Sequence, residues 1–191
     1  MNEILIICDI DGVLANCEHR LEHLQRKEYG AFYGVKMADD IVIEEGRLLL
    51  KSLRGSGPVS EAIYYATGRP ERTRNLTLNW LEACCIPQAW SERLFMRKDA
   101  DHRPSPELKV EQVEEILKVR NVISGSSPID GLKKMATKII GIFTSETEKL
   151  PNIYFIDDDP KNVKAVCDKF PFITGITFDI KRMEEQGKEN E

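Results

Sequence analysis

Residues 7–14 read ICDIDGVL and complete the apolar run ILII that begins at residue 4. A strand interior has no use for two carboxylates separated by one Ile, because each needs hydrogen bonds or a counter-ion to leave water. The run therefore ends at a polar site, and Gly12 breaks the chain there. The same pattern returns late in the sequence, where IYFIDDDP (153–160) carries an apolar strand into Asp157, Asp158 and Asp159 before Pro160 starts a helix.

Working outward from these two stretches, short β-branched or aromatic runs at 4–8, 62–67, 93–97, 153–157 and 172–178 alternate with helical spacing at 45–53, 71–84, 107–119 and 160–170. Continuous apolar strands separated by helices predict an α/β fold with a parallel sheet covered on both faces. Two segments fit the alternation less well. Residues 16–44 hold a helix and an aromatic loop and read as a small cap, while 120–150 form an additional insert. The expected organisation is one domain over 1–180 with a charged tail at 181–191.

The 191 residues suffice for a core without staples, and a net charge of −5 excludes a general polyanion binder. The N-terminal apolar run is too short for a signal peptide or a membrane span, so a cytoplasmic location is expected, with no membrane partner. Five cysteines, with no C-x-x-C pair among them, read as reduced, mostly buried thiols.

In open α/β sheets ligands bind beyond the carboxyl ends of the strands, so Asp9, Asp11, Asp157 and Asp158 are expected to converge. Unit charges about 4 Å apart repel by about 4 kcal/mol at a protein-surface dielectric, and such a cluster calls for a cation. Oxygen-only ligands suit Mg²⁺, which also binds phosphate. Asp159 reads instead as the cap of the following helix. YYATGRP (64–70) ends the second strand with Thr67 and Gly68, which offer a hydroxyl and an open backbone to an oxyanion. RPSPELK (103–109) places Lys109 early in a helix.

The order D-x-D-G, T-G-R, K, D-D resembles the haloacid dehalogenase superfamily of phosphotransferases from about Ile4 to Phe178, with motifs at Asp9/Asp11, Thr67, Lys109 and Asp157/Asp158. The stretch FMRKDADHRPSPELK (95–109) is similar to the phosphatase domain of phage polynucleotide kinase and its small relatives, although Ser105 stands where that family tends to carry Asp. The resemblance implies a three-layer Rossmann-like sheet with the superfamily's topology and a small helical cap. It further implies an Mg²⁺-dependent phosphomonoesterase in which Asp9 is the nucleophile, Asp11 the proton carrier, and Thr67, Gly68 and Lys109 hold the phosphoryl group. The implied metal ligands are Asp9, the backbone carbonyl of Asp11, Asp157 and Asp158.

Substrate expectations rest on Arg69, Arg72, Arg74, Arg97, Lys98 and Arg103, which follow the second and third strands and either suit the extra phosphates of a nucleotide or a 3′-phosphorylated polynucleotide end or pair on the surface with Glu71, Asp99 or Asp101. Tyr29, Phe32 and Tyr33 can stack a base or seat the cap. A sugar phosphate is the alternative substrate. A phosphoryl-accepting signalling domain or a non-catalytic binding module is the alternative class, although in receiver domains the Lys comes last, whereas Lys109 precedes Asp157. His19 and His23, four apart, can also clamp a metal.

Overall fold

The computed structural model describes residues 4–54, 61–123 and 151–179. Most of the 120–150 insert and the whole 181–191 tail lie outside the described residues. Five parallel strands form the sheet: β1 (Ile4–Cys8), β4 (Glu61–Pro70), β5 (Leu94–Arg97), β6 (Asn152–Asp157) and β7 (Thr174–Thr177), in the order β5-β4-β1-β6-β7. The chain leaves β1 for β4 and β5 on one side, then returns to its other side for β6 and β7. The reversal of strand order between β1 and β6 opens a crevice beyond their carboxyl ends. Cys8, the last residue of β1, pairs with Tyr65 on one side and Ile156 on the other, so Asp9 and Asp157 leave the sheet side by side.

Alternation along β1 sends Ile6 and Cys8 to one face and Leu5 and Ile7 to the other. The first face packs with Leu50 from α3 (Glu44–Arg54) and with Trp80 and Leu81 from α4 (Arg74–Ala83). The second packs with Val113, Ile116 and Leu117 from α5 (Ser105–Val119) and with Val163 and Val166 from α6 (Pro160–Lys169). The result is the expected three-layer, Rossmann-like α/β arrangement.

The cap segment contains two short helices, α1 (Leu21–Gln25) and α2 (Tyr29–Phe32), flanked by 3-10 turns. A two-residue antiparallel pair, β2 (Ala15–Asn16) with β3 (Ile41–Val42), joins its two ends. Beyond β3 the chain enters α3, where Gly46 lies so near the loop after β1 that a Cβ would overlap the carbonyl oxygen of Val13.

Gly46→Ala tests that contact. Alanine gains about 1 kcal/mol of helix propensity. Overpacking costs about 1–3 kcal/mol, and a backbone carbonyl cannot turn aside like a side-chain tip, so the overlap should win. The expected outcome is a lower melting temperature, about 2–4 °C for each kcal/mol of net loss. An unchanged or raised value in a thermal melt would contradict the close approach.

Candidate active site

Each strand-end carboxylate is held by its own local bonds. Asp9 Oδ1 accepts the Ile10 N–H at 2.7 Å, and the Asp9 N–H continues the sheet ladder to the Ile156 carbonyl at 2.9 Å. Asp157 Oδ1 accepts the Asp159 N–H at 3.0 Å and Asn162 Nδ2 at 2.9 Å. Asp159 caps α6 by accepting the Lys161 N–H at 2.8 Å, the role read for it from the sequence.

Lys109, buried on the first turns of α5, reaches between the strands. Its Nζ lies 2.8 Å from Asp9 Oδ2 and 3.3 Å from Asp157 Oδ2, and it donates to the Ala66 carbonyl at 2.5 Å. One turn further along α5, Gln112 Nε2 donates to the carbonyls of Thr67 at 2.9 Å and Phe95 at 3.2 Å, which pins the helix to the ends of β4 and β5.

Carboxylate oxygens of Asp9, Asp157 and Asp158 lie within 4.8 Å of one another. Three acids against one lysine leave a net negative charge, and Asp157 Oδ2 is buried without a formed hydrogen bond. The negative excess suits a hard divalent cation bound through oxygen, and the contact of that Asp157 oxygen is the 3.3 Å ion pair with Lys109. Burial drives the Asp9 carboxyl well above the usual range despite Lys109, and burial together with the Asp157 charge pushes Asp158 up to about 6. Gly12 makes room for Asp158: its φ is +81°, and a Cβ there would collide with the Asp158 carboxylate.

Asp11 takes a different course from Asp9. Arg69 donates to it through Nη2 at 2.7 Å and Nε at 3.1 Å, and Arg20 through Nη2 at 2.6 Å. Both guanidiniums also hold Asp40: Arg20 through Nε at 2.7 Å and Nη2 at 2.8 Å, Arg69 through Nη2 at 2.7 Å. Arg20 Nη1 donates to the Phe32 carbonyl, and Trp80 Nε1 to the Asp40 carbonyl. The two arginines and two aspartates form a neutral, closed box that fastens the cap to β4 and α4. Burial raises the Asp11 carboxyl, but the charges and hydrogen bonds of Arg69 and Arg20 outweigh it and hold it below the ordinary range.

These positions revise several expectations. Arg69 is not an exposed arm for extra phosphates: it is wholly buried and committed to Asp11 and Asp40. The Asp11 carboxylate belongs to the arginine box and not to the metal-ligating cluster. Thr67 is buried, its Oγ1 accepting the Arg69 N–H at 3.2 Å, while Gly68 lines the cleft, where a Cβ would meet only the Tyr33 hydroxyl, at 3.8 Å. Of the two readings for the other arginines, the structure shows the ion pairs: Arg72 with Asp99, Arg74 with Glu71, and Arg103 with Asp101 and Glu111. His19 and His23 serve the cap instead of a metal: His19 Nε2 contacts the Lys36 carbonyl and His23 Nδ1 contacts Glu28.

Arg20, Asp40 and Asn162 were not singled out from the sequence. Asn162 had one available signal, its place in the first turn after the aspartates. The cleft in front of Asp9 encloses about 460 Å³ and includes Cys17, whose thiol burial raises to about 11 and so keeps protonated. All five cysteines are free, but only Cys8 is buried, against the expectation of mostly buried thiols.

No protein-family model matches the chain, and no curated protein sequence matches it. Two solved structures of the class C acid phosphatase from Bacillus anthracis, one with tungstate bound, are similar at 15% and 16% identity. They align with 100% and 99% of this chain and with 80% and 79% of their own, each with a TM-score of 0.41. A likeness of that degree bears on neither the chemistry nor the substrate. Among the described residues no helix is long and apolar enough to cross a membrane.

Two measurements follow from these contacts. Asp40→Ala leaves two buried guanidiniums short of a carboxylate and should cost about 3–5 kcal/mol, whereas Asp40→Asn, which keeps an acceptor, should cost less. Equal stability of the wild type and both variants in chemical denaturation would contradict the box.

The second concerns pH. An acid whose folded pKa is raised destabilises the metal-free fold as pH climbs from its unfolded value near 4 towards 6, and a cation must displace the proton that Asp158 holds below about 6. Added Mg²⁺ should therefore raise the melting temperature more at about pH 7.5 than at about pH 5. An Mg²⁺ response that is absent, or no larger at the higher pH, would contradict the assignment.

Proposed function

We propose that the protein is an Mg²⁺-dependent phosphomonoesterase of haloacid dehalogenase type that works through an aspartyl-phosphate on Asp9. The observation that carries this reading is Lys109 Nζ lying between Asp9 and Asp157 at the switch point of a parallel sheet, with Asp158 beside them. The motif order D-x-D-G, T-G-R, K, D-D supports it. The proposed substrate is a phosphate monoester on a nucleotide or a polynucleotide end.

Asp9, Asp157 and Asp158, with the main-chain carbonyl of Asp11, would hold the Mg²⁺. When bound, the ion supplies positive charge to the phosphoryl oxygens and shields the substrate dianion from the aspartates. An Asp9 carboxylate oxygen attacks phosphorus, an acyl-phosphate P–O bond forms, and the bond to the leaving oxygen breaks. The Gly68 backbone and the Lys109 ammonium face the phosphoryl oxygens as they gain charge. Water then attacks the same phosphorus and gives its proton to Asp11, while the acyl-phosphate bond breaks to regenerate Asp9 and release phosphate.

Asp11 is held as an ionised carboxylate and is ready for this second step. In the first step it can serve as an acid only after the phosphoryl dianion beside it raises its pKa, since neighbouring like charge favours the protonated form. The expected rate is consequently sensitive to the leaving group.

Asp9→Asn should abolish turnover of every phosphate ester. Asp11→Asn should retain activity on an aryl phosphate, whose phenolate leaves without a proton, and should lose about 10²–10⁴-fold on an alkyl phosphate. EDTA should silence the wild type, and Mg²⁺ should restore it. Wild-type rates in Asp9→Asn, or full activity in chelator, would overturn the reading.

A further inference from the structure

Beside the phosphoryl site lies a second cleft of about 390 Å³, within the size range of small-molecule sites, which begins about 300 Å³. Tyr33 and Leu24 line both clefts, so the second adjoins the space before Asp9 at these two side chains.

The walls of this cleft are rings and guanidinium planes. Tyr29 is 53% exposed and Leu24 39%, an unusual display of apolar surface for two neighbouring helices, and His102 and Pro70 stand with them in the lining. The guanidiniums there already have partners. Arg72 meets Asp99, Arg103 meets Asp101 and Glu111, and Arg97 gives Nη1 to the carbonyls of Arg103 at 2.8 Å and Asp101 at 3.3 Å. The lining holds three guanidiniums and two carboxylates, and Glu111 offsets Arg103 from outside it, which leaves little charge to trap additional phosphates. Flat faces beside an apolar side chain make a good seat for a planar ring, since every base has a π-face and stacking needs no net charge.

We infer that this cleft is the leaving-group site, and that it recognises the base of the single nucleoside bearing the phosphate, by stacking against Tyr29 and Tyr33. Recognition therefore comes from the ring and not from neighbouring backbone phosphates. This rests on the phosphomonoesterase reading above and specifies what that site selects. Of the two sequence-based readings, phosphate contacts through arginine and base stacking on the cap aromatics, it keeps the second. A mononucleotide and an oligonucleotide end should be similar substrates, both better than an ester with no ring.

The test compares kcat/KM of the full chain with Mg²⁺ for thymidine 3′-monophosphate, a 3′-phosphorylated oligothymidylate and glycerol phosphate, at low and high salt. The nucleotide should exceed glycerol phosphate by at least about tenfold, the worth of one stacked base. The oligonucleotide should match the mononucleotide, and salt should leave the preference standing. Tyr29→Ala, an exposed position that spares the core, should reduce kcat/KM for the nucleotide about tenfold more than for glycerol phosphate.

Equal turnover of nucleotide and glycerol phosphate would overturn the inference. So would a preference untouched by Tyr29→Ala, or an oligonucleotide advantage that salt erases, which is the mark of phosphate contacts. If no ester turns over, the phosphomonoesterase reading fails separately. Calorimetric binding of the same nucleotide against glycerol phosphate then decides the cleft: tighter nucleotide binding that Tyr29→Ala weakens upholds it, and equal or absent binding overturns it.

Discussion

Lys109 between Asp9 and Asp157 is the contact on which the site depends. Without it, two buried aspartates from adjacent strands would face each other at the end of the sheet, and charges about 4 Å apart repel by about 4 kcal/mol even at an effective dielectric of 20. One ammonium offsets part of that repulsion, and Asp158 restores a negative excess. The remaining charge is what the proposed cation, and the phosphate such a cation carries, would meet. The lysine reaches this position because Gln112, on the same face of α5, is tied to the carbonyls of Thr67 and Phe95. Helix placement and site electrostatics are thus set by one pair of side chains a turn apart.

The second constraint is the separation of Asp9 from Asp11. Only Ile10 stands between them, yet their carboxylates belong to different networks. Asp9 faces the lysine and its burial raises its pKa, while Asp11 is held ionised by Arg20 and Arg69. Two groups of one chemical type are thereby given different proton affinities, in the reverse of the order that a nucleophile and a proton carrier need, and in the proposed reaction a bound cation would restore the ionised Asp9 carboxylate. Because Asp40 shares both arginines, the cap takes part in this division and does more than cover the cleft.

Much of the architecture was legible in the sequence because it is written in local patterns. The apolar runs at 4–8 and 153–157 match β1 completely and β6 to within one residue, since both strands are central and buried on each face. Asp9, Lys109, Asp157 and Asp158 were legible because each stands at a strand end or helix start, where topology brings such positions together. Arg20 and Asp40 were not. Their pairing joins a cap turn to a loop 20 residues later, and nothing in the local pattern of a charged, irregular segment says which acid meets which base. Arg69 is the same case: an arginine after T-G reads either as a free arm or as a surface ion pair until the fold supplies two buried carboxylates for it.

The most direct test is whether a phosphoryl group becomes attached to Asp9. Acid quenching during turnover of an aryl phosphate with Mg²⁺, followed by mass spectrometry of the N-terminal peptide, should find one phosphoryl group on Asp9 in the wild type and none in Asp9→Asn. Hydrolysis that proceeds with no modified peptide, or with the phosphoryl group on another residue, would contradict the account.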